Sequence, residues 1–307
     1  LSYIKPHWPY IVPAPYHDMY SKDDILPVLR HDAELENAHP VHQAFLNRRV
    51  SNVFNRGEVR ETVIPVYMGL IKQIDDQIGR LTRFLDESGQ LDNTVIVFSS
   101  DHGDYLGDHW LGEKDYFHEQ SIRVPLIIAD PSPESDSTRG ATEQRLVEYI
   151  DLVPTFVDLA GGDADTYEHK LEGRSLAPLL QGQAPDTWRD AVFVETDFNG
   201  TDASENINLP HEQKRATMMR TARYKYILHE AFPPQLFDLE NDPEEFFDLG
   251  TDPAYVSVRA ELHERLFHWF RHRKIRTTQP TSQLLAHGDS EQRAGHGIFI
   301  GYWSEDD

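Results

Sequence analysis

Two short, largely apolar runs, residues 94–98 and 124–129, constrain the fold of this chain more than any other feature of its sequence. Both contain β-branched side chains and lack polar alternation, which is typical of strands that are buried on both faces. Apolar residues also recur every three or four positions from Val59 to Leu85, the period of a long amphipathic helix. Buried strands bracketed by helices predict an α/β fold, with a mostly parallel sheet flanked by helices.

The sequence changes character near residue 190. Two strand-like segments, residues 191–196 and 218–228, are followed by an amphipathic helical pattern over residues 256–270. This order predicts a small sheet with its own helix. We therefore predict an α/β domain over residues 1–189 and a small subdomain of β-sheet plus helix over residues 190–276.

The two ends of the chain suggest further chain or partners. The chain opens at Leu1 within residues 1–4, which read as a strand, so we interpret it as a piece of a longer protein. At the other end, residues 277–307 form a polar C-terminal arm that closes on an apolar segment, residues 298–303. This segment suits folding back on its own domain or docking on a second subunit, so a homo-oligomer formed through the arm is one of two expectations.

Composition limits the class of partner. With 52 acidic and 29 basic residues, the formal net charge of -23 argues against nonspecific binding to nucleic acid or to an anionic membrane. No apolar run approaches the roughly 20 residues that span a bilayer. We expect a soluble protein and leave its compartment, cytoplasm or periplasm, undecided. The absence of cysteine excludes disulfides, thiolate zinc sites and a cysteine nucleophile within these residues.

Asp101 and His102 are the first candidate site residues, because they follow the strand predicted at residues 94–98. In parallel α/β sheets, ligands collect beyond the carboxyl ends of the strands. A carboxylate and an imidazole placed there suit a divalent cation such as Ca²⁺, Mg²⁺ or Mn²⁺. The structural alternative is an aspartate that caps the next helix and a histidine that bonds a backbone carbonyl.

Three further side chains extend the candidate site towards an anionic substrate. Lys114 follows on a glycine-bearing loop, where it suits the oxygens of a sulfate or phosphate group. The competing interpretation is a solvated lysine paired with Glu113 or Asp115. Lys5 and His7 leave the strand predicted at the chain start. If that strand shares a sheet with the others, both would converge with Lys114 and a metal ion on one anion site.

These motifs together resemble the C-terminal signature block of sulfatases, in the alkaline phosphatase superfamily. The block comprises Asp101-His102-Gly103 after an apolar strand, the Leu-Gly-Asp-His loop, Lys114, and the strand that begins at residues 123–126. Milder matches occur in the same order over residues 75–81, 151–155, 173–180 and 235–245. Within the superfamily, the chain is most similar to bacterial sulfatases, iduronate-sulfatase-like enzymes and phosphonate monoester hydrolases.

The resemblance implies an alkaline-phosphatase-like fold, with residues 1–189 as the C-terminal part of its catalytic domain. It also implies metal-dependent hydrolysis of small anionic substrates, either sulfate esters or phosphonate or phosphate monoesters. Asp101 and His102 match residues that bind one divalent metal ion, usually Ca²⁺ or Mn²⁺, with Mg²⁺ as a further option. The family therefore assigns these two side chains to the metal.

The resemblance also implies roles at the ester group. Lys114 matches a residue that stabilises charge in the transition state, and His7 matches one that does the same or donates a proton to the leaving oxygen. Lys5 corresponds to a more variable substrate-binding position. His109 is interpreted as a residue that supports the metal ligands, with a cap or turn contact as the alternative.

The family nucleophile has no counterpart in this chain. It is a formylglycine made from the cysteine of a C-x-P-x-R motif, and two further metal-binding aspartates accompany it. Because the chain contains no cysteine, we expect a missing N-terminal half of the same protein to supply these groups, and the chain alone to be inactive.

Two other functions are kept as alternatives. One is a phosphodiesterase or phosphatase of the same superfamily, with a Thr or Ser nucleophile and two metals, for which His169 or His211 would be an extra ligand. The other is a non-catalytic assembly or binding module.

Overall fold

A computed structural model of the chain describes residues 1–183 and 185–273, which contain helices and strands in mixed order. The helices are α1 (Ala33–Glu36), α2 (Pro40–Leu46), α3 (Arg49–Phe54), α4 (Gly57–Glu87), α5 (Glu119–Ile122), α6 (Leu152–Leu159), α7 (Ala177–Leu180) and α8 (Val256–His272). The strands are β1 (Ile96–Ser99), β2 (Leu126–Ala129), β3 (Ala191–Asp197), β4 (Arg215–Thr221), β5 (Tyr224–His229) and β6 (Gln235–Asp238). The predicted α/β class is confirmed, as is the later sheet followed by a helix.

The strand pairing differs from the mostly parallel sheet that the sequence predicted. Among the described residues, β1 and β2 form a two-stranded antiparallel sheet, with Ile96 opposite Ala129 and Ser99 opposite Leu126. A parallel pair needs a crossover, usually a helix that packs on the sheet face. The connection from β1 to β2 contains only the four-residue α5 and is instead packed into the core, so the chain returns antiparallel.

The apolar runs predict that both strands of this first sheet are buried on both faces. Neither strand is. Phe98 of β1 is 36% exposed and Ile127 of β2 is 61% exposed. Since two strands alone cover only each other's edges, their faces stay open in the part of the chain that is described. The second sheet has the order β3-β4-β5-β6 and is antiparallel throughout.

The long helix α4 forms where the period of three and four residues predicted it. It contains Pro65 in its third turn and ends at Glu87, with Gly89 following at φ 69°. Glycine adopts this left-handed conformation without the steric cost that a β-carbon would impose. None of the helices in residues 1–183 and 185–273 is both long enough and apolar enough to cross a membrane.

Two predicted strands are wrong. Residues 1–4 lack regular secondary structure, and Leu1 is 92% exposed. Residues 149–155, whose apolar sequence predicts a strand that leads into a helix, form a short 3₁₀ turn and the start of α6. The helix is thus observed without the strand, because the Asp151 carboxylate accepts a hydrogen bond from the Glu148 backbone N–H at 2.8 Å and so caps the turn. The segment predicted at residues 218–228 divides into two strands, β4 and β5, joined by a tight turn.

The described residues divide into two compact units. One comprises residues 1–146 together with 186–266, and the other comprises described residues between 147 and 185 and between 267 and 273. The predicted domain division at residue 190 is not tested by this result and stays a prediction. The predicted arm, residues 277–307, and the homo-oligomer proposed through it lie outside the described residues.

In the first unit, the core forms between α2, the four-stranded sheet and the connection from β1 to β2. Phe45 of α2 packs against Tyr116 of the connection, with ring centroids 5.2 Å apart, and against Phe198 at 5.6 Å. Tyr105 and Leu111 of the same connection are each 1% exposed. Full burial of a large apolar side chain contributes roughly 1.5–3 kcal/mol. The connection is therefore a fixed part of the core rather than a mobile loop.

Candidate active site

Asp101 and His102 lie directly after the carboxyl end of β1, as the sequence predicted. The Asp101 carboxylate side chain is 86% exposed, and its Oδ2 is 3.6 Å from Nε2 of His102. His102 Nδ1 lies 2.8 Å from the Gly103 carbonyl oxygen. Because a carbonyl only accepts, Nδ1 carries the proton and Nε2 keeps a free lone pair. Asp101 Oδ2 and the lone pair of His102 Nε2 are therefore close enough to bind the same divalent cation.

The backbone that follows His102 has a specific need for glycine. A β-carbon at Gly103 would lie 1.9 Å from the carbonyl oxygen of Gln120. The Gly103 N–H also donates to the Ser121 carbonyl at 2.8 Å. Since this close approach fixes the chain beside α5, Gly103 holds the His102 ring in its position.

Lys114 and His7 are in direct contact although 107 residues separate them. Lys114 Nζ is 3.0 Å from His7 Nε2. His7 Nδ1 lies 3.0 Å from the Trp8 carbonyl oxygen and donates to it, so His7 Nε2 accepts the hydrogen bond from the lysine. The His7 ring centroid is 6.2 Å from that of His102. The structure therefore brings the predicted ester-binding residues next to a predicted metal ligand.

Lys5 lies in the same turn but is engaged differently. Its ammonium group donates to the carbonyl oxygen of His7 at 3.2 Å and also contacts that of Pro9. These bonds hold the turn that presents His7. Lys5 thus supports His7 through the backbone, and its predicted contact with substrate stays a prediction.

Arg48 is a residue of this site that the sequence did not reveal. Its side chain is 5% exposed, and its guanidinium meets Glu113 at 3.2 Å, Asp115 at 3.5 Å, and also Asp202. It donates to the Lys114 carbonyl oxygen at 3.2 Å as well. Both carboxylates that flank Lys114 are therefore paired with Arg48. The expectation that Lys114 itself pairs with Glu113 or Asp115 is not met, because its ammonium group bonds His7.

The loop that carries Lys114 has unusual backbone geometry. Among the described residues, six non-glycine residues have positive φ, and five of them lie in this loop: Leu106, His109, Trp110, Glu113 and Asp115, with φ from 46° to 85°. Two of these flank Lys114 directly. Each such residue costs of the order of 1 kcal/mol or more, and strain of this kind persists only where surrounding contacts enforce it. Here the buried aromatic core and Arg48 supply those contacts.

A half-buried tyrosine–carboxylate pair, Tyr10 with Asp104, lies at the start of this loop. The Tyr10 hydroxyl donates to Asp104 Oδ2 at 3.0 Å, and the Leu106 backbone N–H donates to Asp104 Oδ1 at 3.1 Å. Burial raises the pKa of Asp104 above its ordinary value, and burial together with the Asp104 charge raises the pKa of Tyr10. Burial likewise raises the pKa of Tyr67 to about 12. Tyr10 therefore stays a neutral donor, and Asp104 fixes the start of the loop.

His109 is wholly buried in a separate cluster. Its Nδ1 donates to Glu34 Oε1 at 2.7 Å, and its ring stacks on that of His118 with centroids 3.9 Å apart. No hydrogen bond or ring contact joins His109 to Asp101 or His102 in the described part of the chain. Its proposed support of the metal ligands stays a prediction.

Comparison with known proteins shows which family this chain resembles. A family model described as Sulfatase matches residues 1–162, and a model described as N-sulphoglucosamine sulphohydrolase, C-terminal, matches residues 107–272. The chain is 35% identical over 285 residues to the Multifunctional alkaline phosphatase superfamily protein PehA of Trinickia caryophylli, a match that covers 88% of this chain and 54% of that protein. It is 32% identical over 256 residues to an arylsulfatase of Clostridium perfringens, covering 83% and 49%.

Solved structures with a similar fold include a phosphonate monoester hydrolase. The phosphonate monoester hydrolase of Agrobacterium radiobacter superimposes with a TM-score of 0.77 and 31% identity, over 86% of this chain and 54% of that one. The chain therefore spans about half the length of the relatives that it matches.

Proposed function

Since this chain belongs to the sulfatase family of the alkaline phosphatase superfamily, we propose that the whole protein hydrolyses sulfate esters or phosphonate or phosphate monoesters. In this proposal, the chain contributes metal ligands and ester-binding residues to the active site. The contact between Lys114 and His7, beside His102, carries the proposal. The proposed substrate class is taken from two of its relatives, an arylsulfatase and a phosphonate monoester hydrolase.

Asp101 and His102 would hold one divalent cation, Ca²⁺ or Mn²⁺ or, as a further option, Mg²⁺. The donor set fits, because a carboxylate oxygen and an unprotonated imidazole nitrogen lie 3.6 Å apart at the end of β1. When bound, the ion would polarise the ester oxygens and offset their charge. Two donors do not complete a coordination sphere, so the remaining ligands would come from the rest of the protein, from substrate oxygens or from water.

Lys114 and His7 would bind the ester anion as a pair. The Lys114 ammonium group offers charge and up to three donated hydrogen bonds, of which His7 accepts one. Because Arg48 pairs both neighbouring carboxylates, the lysine charge is available to a substrate oxygen. In this arrangement His7 Nε2 accepts the bond and carries no proton of its own, so His7 would protonate a leaving oxygen only after taking up a proton at Nε2.

The nucleophile would come from the remaining part of the protein, as a formylglycine made from a cysteine. The chain has no cysteine of its own. Its exposed apolar side chains offer a surface for that part, since Phe98 and Ile127 lie open on the first sheet and Phe84 on α4 is 59% exposed. Contiguous exposed apolar residues mark surfaces that other protein covers.

Assays on the full-length protein test the proposal. We expect turnover of a 4-nitrophenyl sulfate or a phenylphosphonate monoester that requires added Mn²⁺ or Ca²⁺ and that Asp101→Ala removes, whereas the exposed control Lys22→Ala retains it. The chain expressed alone should be inactive. A preference for phosphodiesters with a requirement for two metals would favour the phosphodiesterase alternative. An absence of both turnover and metal binding, with a stop codon upstream of Leu1 where a C-x-P-x-R motif is expected, would favour a non-catalytic module.

A further inference from the structure

We propose that Glu34, His109 and His118 form a second, buried site for a divalent transition-metal ion such as Zn²⁺. This site is distinct from Asp101 and His102, and the inference does not depend on the proposed hydrolase function. Within the described residues, these three side chains make up the one group of three His or acidic residues whose ligand-type atoms all lie within 4.8 Å of one another.

The three side chains come from two parts of the chain and are held in place. Glu34 lies in α1, whereas His109 and His118 lie on either side of Lys114 in the connection from β1 to α5. All are buried, with exposures of 6%, 0% and 2%. The two imidazole planes are parallel within 1°, and the Tyr105 hydroxyl lies 3.1 Å from His118 Nδ1. Because an imidazole binds an ion in its ring plane, the two rings would have to tilt out of their stack for both nitrogen lone pairs to reach one ion.

Unsatisfied polar atoms at this place indicate a missing partner. His109 Nε2 is buried without a hydrogen-bond partner, and so is Nε2 of His42, whose ring centroid is 5.6 Å from that of His118. Buried polar atoms are nearly always paired, because leaving one without a partner destabilises the folded protein. Two orphaned imidazole nitrogens around one cluster favour an ion or an ordered water that completes the hydrogen bonding.

The local charges favour a cation. Nearby, the buried Lys225 ammonium is balanced by Glu119 at 3.0 Å and by Glu245, and Arg220 also pairs with Glu119 at 3.2 Å. Those four groups sum to zero. Glu34 is then left with its hydrogen bonds from the His31 backbone N–H at 2.8 Å and from His109 as its compensation. A buried carboxylate of this kind is stabilised by a full positive charge.

The surroundings of His118 and of its neighbour His42 disfavour a charged imidazole. Burial lowers the pKa of His118 well below its usual value, and the charges of His109, His42 and Lys225 lower it further. Burial lowers the pKa of His42 to about 3. Neutral imidazoles keep a lone pair for a metal. Two imidazoles and one carboxylate are typical ligands of Zn²⁺ and related ions, whereas Ca²⁺ requires six to eight oxygens.

An ion here would have a structural role. It would tie α1 to the loop on both sides of Lys114, at a place where all three ligand side chains are buried. Because a structural ion binds the folded state only, its binding free energy adds to folding stability.

The test uses full-length protein freed of metal by chelation, in a background with Asp101→Ala and His102→Ala to remove the first site. We expect this background variant to bind one Zn²⁺ tightly in calorimetric titration, and one Co²⁺ with visible d–d absorption. Adding His118→Gln should weaken Zn²⁺ binding by at least about tenfold, the effect typical of losing a metal-site residue. His268→Gln is the matched control, since His268 and His272 form a stacked surface pair one helical turn apart that would bind zinc adventitiously. This control should leave the tight site unchanged.

A second readout covers the case in which His118→Gln does not fold. Saturating Zn²⁺ should raise the melting temperature of the background variant, and saturating Ca²⁺ should not. The proposal is overturned if the background variant binds Zn²⁺ no more tightly than the His118→Gln protein, or if Zn²⁺ leaves its melting temperature unchanged. Either result would mean that ordered water alone completes the cluster.

Discussion

Lys114 Nζ donates a 3.0 Å hydrogen bond to Nε2 of His7, so that a loop after β1 and a turn near the chain start form one binding unit. The histidine can accept this bond because its other nitrogen donates to the Trp8 carbonyl. Among residues 1–183 and 185–273, no carboxylate pairs with either side chain. The pair thus presents one positive charge and its N–H donors beside His102, the groups that the proposed ester anion would need.

Arg48 should protect the charge of Lys114. In Arg48→Gln, the carboxylates of Glu113 and Asp115 lose their partner and become free to pair with the lysine between them. We expect kcat/KM of the full-length protein to fall by at least about tenfold, corresponding to 1.4 kcal/mol. Arg48→Lys, which keeps a positive charge, should lose less. Steady-state kinetics with an aryl sulfate or phosphonate monoester measures the effect.

A rescue experiment separates this electrostatic role from simple support of the fold. Arg48→Gln combined with Glu113→Gln and Asp115→Asn removes the arginine together with the two carboxylates that flank Lys114. We expect kcat/KM to return most of the way to the wild-type value, because Lys114 then has no neighbouring carboxylate to pair with. A triple variant that stays as impaired as Arg48→Gln would contradict the electrostatic explanation.

Gly103→Ala should disturb the metal pair. Its β-carbon would collide with the Gln120 carbonyl oxygen at 1.9 Å, and backbone adjustments of this kind typically cost about 1–3 kcal/mol. We expect lower stability and weaker Mn²⁺ binding by the full-length protein, measured by denaturant unfolding and by calorimetric titration. Gly79→Ala is the matched control, because Gly79 lies within α4 with nothing within 4 Å of its added carbon. This control should gain roughly 0.5–1 kcal/mol. Equal Mn²⁺ affinity in the two variants would argue against a positioning role for Gly103.

His39 should make stability fall in mild acid. Burial lowers the pKa of His39 from 6.5 to about 4, and its Nδ1 accepts the Val41 backbone N–H as the cap of α2. The ring stacks at 4.3 Å on His229, whose pKa burial and the His39 charge lower to about 3. Because the folded pKa values lie below the unfolded value, the unfolded chain binds more protons between about pH 6.5 and 4. Stability is therefore present above pH 6.5 and is lost as the pH falls through this window.

His39→Asn tests this pH dependence, since asparagine can still cap α2 but does not titrate. Urea unfolding of the full-length protein, measured from pH 7 to pH 4, gives the free energy of unfolding at each pH. This free energy should fall less steeply with falling pH in the variant than in the wild type. The difference should approach about 1.4 kcal/mol per pH unit for the one proton removed. Identical slopes in wild type and variant would show that His39 is protonated equally in the folded and unfolded states.

Local pattern was sufficient for much of the fold. The three-and-four spacing located α4, and the β-branched run located β1 and with it the position of Asp101 and His102. These features depend on neighbours within a few residues. Antiparallel pairing of β1 with β2 could not be predicted in this way, because it depends on where the long connection packs rather than on the composition of either strand.

The site shows the same division. The sequence predicted that His7 and Lys114 would lie close together if a strand preceded His7. The two side chains are in contact, although residues 1–4 do not form that strand. Arg48 was missed because it acts on Glu113 and Asp115 from 65 and 67 residues away, and nothing in its local sequence marks it. The positive φ angles were also missed, since they occur at non-glycine residues and are imposed by tertiary contacts.

A double-mutant cycle on His7 and Lys114 tests the central claim most directly. It compares kcat/KM of the full-length wild type with His7→Ala, Lys114→Ala and the double variant on one aryl sulfate or phosphonate monoester. Removal of one group that stabilises developing charge costs about 10²–10³ in rate. Because the two side chains act as a hydrogen-bonded pair, the double variant should be little worse than either single variant, with a coupling free energy above about 1 kcal/mol. Strictly additive losses, or single variants with wild-type activity, would contradict the account.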